Sequence, residues 1–172
     1  MEFDELYEQY FQCIYQFIYY MVSDPGLAED LTQETFIRVY KGQFRNEASM
    51  GTYIRRIARN LVYDTYRKKA LIKWLPFQRE HEKRETQYVP HDWIMQSEER
   101  RLLYEAIQLL KPEYREVLIY RKIEELNLAE TSEILGWSTV KIANTQRNAM
   151  KALEKILGGD EFGFKQTTEG SQ

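Results

Sequence analysis

The sequence predicts an all-α fold of two small helical domains joined by a linker. Three observations carry that expectation. Apolar residues recur at three- and four-residue steps nearly throughout, and no stretch alternates in the manner of a run of strands. The pattern lapses once, between Ala70 and Gln96, and then resumes. At 172 residues and 43% hydrophobic, the chain has material for one ordinary domain or two small ones, and it is too apolar for a disordered one.

The elements follow in order. Phe3, Leu6, Tyr10, Ile14, Phe17, Ile18 and Met21 make one apolar stripe of a first helix. Ser23-Asp24-Pro25-Gly26 breaks it. A second helix is expected from about Leu27 to Lys41, with Asp24 as its cap and Pro25 in its first turn. Gly42 to Met50 is a polar loop, and a third helix runs from about Gly51 to Lys69 or beyond. From Ala70 to Gln96, Trp74, Pro76, Phe77, Pro90 and Trp93 stand among mixed charges without a period, which reads as a linker resting on other parts of the chain. Leu102, Leu103, Ala106, Ile107, Leu109 and Leu110 then mark one helix, and Pro112 opens the next, continued by Val117, Leu118 and Ile123. Leu126 to Leu135 is short and amphipathic, Gly136-Trp137-Ser138 is a tight turn, and a last helix extends from about Thr139 to Leu157, stopped by Gly158-Gly159. The expected boundaries are 1–70 and 98–158 for the two domains, 71–97 for the linker and 159–172 for a disordered tail.

Composition narrows the function classes. One cysteine, Cys13, excludes an internal disulfide framework and a multi-cysteine metal site, and it lies on the apolar side of the first helix, as a core residue would. Two histidines, His81 and His91, leave little for a zinc site or an imidazole-based enzyme. No paired carboxylate, nucleophile–base set or phosphate loop is present, so neither an enzyme nor a cofactor, nor a small-molecule substrate, is expected. The apolar run Phe17 to Val22 is too short to span a membrane and the acidic start MEFDELYEQ is not a secretory signal, which points to a cytoplasmic protein.

The net charge of −3 conceals a strong asymmetry. Met1 to Ile37 holds Glu2, Asp4, Glu5, Glu8, Asp24, Glu29, Asp30 and Glu34 and no Lys or Arg; Arg55 to Arg84 holds ten basic residues against Asp64, Glu80 and Glu82. One surface suits a polyanion and another a basic protein. Two solvated faces of opposite sign would look the same.

Three segments carry recognition chemistry. A helix, a turn at Gly136 and a longer helix form a helix-turn-helix pattern. On the last helix Ile142, Ala149 and Leu153 fall inward, while Lys141, Asn144, Thr145, Arg147 and Asn148 fall on the remainder; Asn and Arg are the side chains that pair with adenine and guanine edges in the major groove. On the third helix Ile54, Ile57, Ala58, Leu61 and Thr65 share an inward side, opposite Arg56, Arg59, Tyr63, Tyr66 and Arg67, flanked by Asn60 and Asp64. Tyrosines among arginines suit a single strand, whose phosphates take arginine and whose unstacked bases take a ring; they also suit a solvated face on which tyrosines cover apolar neighbours. In the second helix Glu29, Asp30, Gln33 and Glu34 form an acidic, amide-bearing ridge, which fits a basic partner and equally a favourable charge on a helix N-terminus.

In order and spacing, AEDLTQETFIRVY (28–40), TYIRRIARNLVYDTYRKK (52–69) and YREVLIYRKIEELNLAETSEILGWS (114–138) with its following helix closely resemble bacterial RNA polymerase sigma factors of the extracytoplasmic-function (ECF) class, across nearly all of Leu6 to Leu157. The resemblance implies an N-terminal domain that binds core polymerase and opens the −10 element, a linker that runs through the polymerase toward its RNA exit path, and a C-terminal domain that reads the −35 element as duplex. Asp30, Gln33 and Glu34, with Ile37 on the same ridge, fall where the family docks on the polymerase clamp. Asn60 falls where it contacts an unstacked base, in a −10 set of Tyr53, Arg56, Arg59, Asn60, Tyr63 and Arg67. Arg121, Asn144, Arg147 and Asn148, with Thr145 beside them, fall in its −35 set. The implied partners are core RNA polymerase, promoter DNA and an anti-sigma protein, in many relatives membrane-bound.

The chain departs from the family pattern in places. Tyr53 replaces a usual tryptophan; Ala143 stands where a basic residue is common, and Thr145 and Asn148 where arginines are. Fewer cations weaken phosphate attraction and its salt dependence. A stand-alone helix-turn-helix regulator, or a polymerase-binding relative that no longer initiates, are the competing readings.

Overall fold

In the computed structural model, the described residues are 2–42, 44, 48–72 and 97–158. The expected linker between residues 73 and 96 and the expected tail from residue 159 lie outside them. The helices are α1 (Phe3–Val22), α2 (Pro25–Lys41), α3 (Met50–Ile72), α4 (Glu98–Gln108), α5 (Pro112–Leu118), α6 (Leu128–Leu135) and α7 (Thr139–Ile156), with a π-helical turn Ile119–Ile123 continuing α5. The all-α expectation holds, and no strand occurs among the described residues.

Local chemistry sets the ends. Asp24 accepts a hydrogen bond from the Leu27 amide at 3.2 Å and caps α2, which starts at Pro25, two residues before the sequence placed it. Ser49 caps α3 through the Thr52 amide at 3.2 Å. A reciprocal capping box of Asn127 and Glu130 opens α6. Gly136 closes it at φ 68°, a left-handed turn that glycine enters without steric cost. Ser138 then caps α7 through the Lys141 amide at 3.1 Å.

The N-terminal half packs α1, α2 and α3 together. Tyr7 and Phe11 of α1 meet Phe36 of α2 at ring-centroid distances of 4.8 and 6.3 Å. Thr32 and Thr35 are fully buried in α2, their hydroxyls donating to the carbonyls of Ala28 and Leu31 at 2.6 and 2.7 Å, so no polar group is left unsatisfied. Ile54, Ala58 and Val62 of α3 close this core.

The C-terminal half packs α5 against α7 and α6 against α7, with Ile142, Ala149 and Leu153 inward as expected. Leu109, placed on the α4 stripe by its spacing, is 73% exposed, because α4 ends at Gln108 and the chain turns there.

The two halves share a core. α1 is buried on all sides over its last turns: Tyr15, Tyr19, Tyr20 and Val22 join Phe17, Ile18 and Met21 inside. A single-stripe reading misses this, because one stripe answers to one packing partner. Phe17 stacks on Tyr120 at 5.0 Å and 16°, and Tyr19 stacks on Tyr104 at 5.2 Å. Arg115 of α5 donates to the Met21 carbonyl at 2.8 Å and to the Leu110 carbonyl at 3.0 Å, satisfying carbonyls that the end of α1 and the turn after α4 leave open.

Tyr120 is fully buried, and its hydroxyl meets no hydrogen-bond partner among the described residues. Tyr120→Phe keeps the ring stack and removes an unsatisfied buried group. It is expected to raise unfolding stability by about 1 kcal/mol in denaturant titration, and a loss of stability would contradict this account.

Candidate nucleic-acid interface

The outward ridge of α2 keeps Asp30, Gln33 and Ile37 on one exposed side, one helical turn apart. Glu34 lies beside them and pairs with Arg38 at 3.1 Å. Because α2 starts at Pro25, Glu29 and Asp30 lie beyond its first turn, where the helix dipole has little to offer them. The dipole explanation for these acids therefore loses its ground. Ile37 is 45% exposed and Tyr40, one turn on, 72%. Phe3 of α1 lies edge-on to Tyr40 at 5.2 Å. The ridge thus ends in an exposed apolar and aromatic patch. Of that patch the sequence reading picked out Ile37 alone, although Tyr40 falls on the same side by its i, i+3 spacing.

The polar face of α3 is not open to solvent along its length. Arg56, Asn60 and Arg67 are exposed, Arg67 paired with Asp64 of its own helix. Tyr53 is half-buried, its ring 5.4 Å from Phe44. Most of the remainder makes contacts with the C-terminal half. Arg59 is ion-paired with Glu116 of α5, and Tyr63 donates to the same carboxylate at 2.8 Å. The Arg59 guanidinium lies 4.7 Å from the centroid of the Tyr63 ring. Arg56 donates to the Glu133 carbonyl at 2.8 Å, near the C-terminal, negative end of α6. Arg55, one residue earlier, pairs with Glu124 at 3.0 Å. Tyr66 donates to the Met21 carbonyl. The expectation of a freely exposed aromatic and basic face is corrected here: spacing assigns these side chains one side of α3, and the fold covers much of that side with α5 and α6.

Glu116 is 0% exposed. Burial pushes its carboxyl above the usual range, against the opposing pull of Arg59 and the Tyr63 hydrogen bond. Burial likewise raises Glu124, with Arg55 opposing. The Tyr63 phenol is pushed up by burial first and then by Glu116, so it stays a hydrogen-bond donor throughout. Cys13 is raised to about 11, again chiefly by burial, which makes it a poor thiolate and agrees with a packing role.

On α7, Asn144, Arg147 and Asn148 are exposed on one side, with Thr145 half-buried at its edge. Arg147 and Asn144 are neighbours one turn apart, 3.4 Å between donor and acceptor. Val140, on this same side at the start of the helix, is 68% exposed. The sequence reading passed over it, because an apolar residue in a helix is expected inward. Lys141 lies over the Trp137 ring at 4.0 Å. Arg121 is tied within the motif, to Gln146 at 2.9 Å and to the Leu126 carbonyl at 2.6 Å, and so holds α7 against the preceding turn.

Comparison with known proteins places this architecture. Residues 6–72 match the Sigma-70 region 2 family model and residues 100–153 the Sigma-70 region 4 model. The chain is 34% identical over 165 residues to the ECF RNA polymerase sigma factor SigX of Bacillus subtilis, covering 90% of this chain and 83% of SigX. It is 31% identical to the ECF sigma factor BldN of Streptomyces coelicolor, covering 92% of this chain and 61% of BldN's length. In fold it is similar to the sigma factor RpoE solved in complex with the anti-sigma factor NepR from Bartonella quintana, with a TM-score of 0.74, 20% identity, and 92% and 98% of the two chains covered. The chain belongs to the ECF class of RNA polymerase sigma factors and directs promoter-specific transcription initiation. The reading as a stand-alone regulator is not favoured.

The two raised carboxyls predict a pH dependence for the contact between the halves. An acid whose pKa is higher in the closed arrangement than in water takes up a proton on closing, so closing is favoured as pH falls and disfavoured as pH rises through the raised value. Glu116 faces Arg59 and Tyr63 of α3, with Tyr120 and Glu113 near it, and Glu124 faces Arg55. Small-angle scattering is expected to show a smaller particle at about pH 5 than at about pH 8, with a weaker difference in Glu116→Gln/Glu124→Gln. A particle that expands as pH falls through this range would reverse the sign.

Proposed function

We propose that the three surfaces divide the work of initiation. The ridge Asp30, Gln33, Glu34 and Ile37, extended by Tyr40 and Phe3, docks on core polymerase. The α3 face, Tyr53, Arg56, Arg59, Asn60, Tyr63 and Arg67, takes the unpaired −10 strand. The outer side of α7, Asn144, Arg147 and Asn148 with Thr145, enters the −35 major groove, with Arg121 holding that helix in place. The domain boundaries 1–70 and 98–158 serve these roles. The protein acts as a specificity subunit in the cytoplasm and not as an enzyme.

The observation that carries this reading is the α2 ridge. It keeps an isoleucine and a tyrosine in solvent beside carboxylates that the helix dipole does not explain. Such a surface fits a partner that supplies both cations and apolar contact. The strand assignment is supported by the Arg59 guanidinium lying over the Tyr63 ring, since a guanidinium and a ring are the groups on which an unpaired base can stack. An anti-sigma partner is proposed from the family's habit and from the NepR complex of the similar fold.

The sharpest test is transcription by purified bacterial core polymerase on a pool of randomised promoters. Specific transcripts are expected in the presence of this protein, and absence of both transcripts and core binding would overturn the reading. Within that assay Asp30→Lys/Gln33→Ala is expected to weaken core binding by about tenfold or more, equivalent to about 1.4 kcal/mol. Asn60→Ala is expected to leave core binding intact while promoter opening falls. The exposed Val140 side chain on the outer side of α7 suits a thymine methyl in the groove, so Val140→Ala is expected to relax preference at one −35 position, by about 1 kcal/mol. Unchanged −35 preference in Val140→Ala would remove it from the reading set.

A further inference from the structure

We propose that Lys141, seated on the face of Trp137, is a phosphate anchor of the −35 interface, and that Trp137 is the residue that positions it. The inference rests on the reading of α7 given above. It adds to that reading the backbone contact that fixes where along the groove the helix sits.

The spacing puts Lys141 at the edge of the reading surface and not at its centre. Val140, Asn144 and Arg147 share the outer side of α7. Lys141, Thr145 and Asn148 form the flank beside it, and Lys141 alone of these three is a cation. When a helix lies in the major groove, its outermost side meets base edges and its flank meets the sugar–phosphate wall. An ammonium is a compact charge without the planar fork that pairs with a base edge, which suits it to phosphate.

The side chain is held before any DNA arrives. Its Nζ lies 4.0 Å from the centroid of the Trp137 ring. A helical side chain leans toward the N-terminus of its own helix, which brings Lys141 back over the turn that carries Trp137. That turn is itself fixed. The Ser132 hydroxyl donates to the Trp137 carbonyl at 2.6 Å, and the half-buried ring packs against the core. The Lys141 amide is tied as well, donating to the Ser138 hydroxyl at 3.1 Å. A free lysine loses much rotamer freedom when it settles on one phosphate. A lysine already resting on an indole has lost part of that freedom in advance, and the face of its ammonium turned away from the ring still carries N–H donors.

The two kinds of contact then divide between two sets of side chains. Val140, Asn144 and Arg147 meet bases, and the contact of Lys141 is the same at every sequence. A phosphate contact at the start of the recognition helix sets which base pairs lie opposite the residues that follow it.

The test uses preassembled holoenzyme on the promoter selected from the randomised pool, with affinity measured across a range of salt concentrations. Lys141→Gln is expected to lower affinity about fivefold at about 0.15 M salt and to reduce the slope of log affinity against log salt by about 0.9. The loss is expected to be equal on promoters altered at single −35 positions. Trp137→Leu keeps an apolar side chain in the turn and removes the ring face. It is expected to lower affinity by about two- to fivefold with the salt slope unchanged, because the cation is present but no longer held. Lys141→Gln/Trp137→Leu is expected to bind no more weakly than Lys141→Gln, a non-additivity that mere loosening of the turn would not produce. An unchanged slope in Lys141→Gln, or a loss confined to one base position, would overturn the phosphate assignment, and this arm needs no change at Trp137. Tighter binding by Trp137→Leu, or additive losses in the double variant, would overturn the positioning role of the ring. Asn144→Ala separates this proposal from the reading beneath it. If Asn144→Ala weakens promoter binding and Lys141→Gln does not, the anchor alone is wrong; if neither weakens it, the placement of α7 in the −35 groove falls with it.

Discussion

A helix that is apolar on every side must be covered on every side. The last turns of α1 are of this kind, and α2 and α3 can cover only part of them. The C-terminal half supplies the rest, through the stacks of Tyr120 on Phe17 and of Tyr104 on Tyr19 and Tyr20. Aromatic pairs of this sort add about 0.5–1.5 kcal/mol each beyond the area they bury. Arg115 completes the cover by satisfying the carbonyls at the end of α1 and beside α4. What the rest of the molecule does, including which surfaces stay open, follows from where this cover lands.

It lands on α3. The same rigid placement that brings Tyr120 to Phe17 brings Glu116 to Arg59 and Tyr63, and α6 to Arg56. Ion pairs of this kind are poor sources of net stability, since desolvation offsets most of the attraction. They are good sources of register. An arginine aimed at a buried carboxylate tolerates few alternative dockings, so the polar ties fix the orientation that the aromatic contacts drive.

The surfaces that remain open are of two chemical kinds and lie on different elements. The α2 ridge combines carboxylates and an amide with Ile37 and Tyr40, which suits a protein partner. The α7 side offers amides, a guanidinium and one valine, which suits base edges. With Ala143, Thr145 and Asn148 where cations are common in the family, this side leans on hydrogen bonding and shape more than on phosphate attraction.

The helices, their caps and their inward faces were legible in the sequence, because a 3.6-residue period, Asp24 before Pro25, and Gly136 after Leu135 are local signals with local causes. The inward set Ile142, Ala149 and Leu153, and the outward set Asn144, Arg147 and Asn148, could be assigned from spacing alone. The ECF family could be named from its motifs, since those motifs are strings of neighbours. Spacing could also place Arg56, Arg59 and Tyr63 on one side of α3. It could not say what faces that side, because their partners stand more than fifty residues along the chain and no period links Arg59 to Glu116. The burial of α1 on all sides, the cover over α3 and the exposure of Leu109 and Val140 were decided by tertiary packing, where the presence or absence of a second surface, and not the character of the residue, determines whether a side chain meets protein or water.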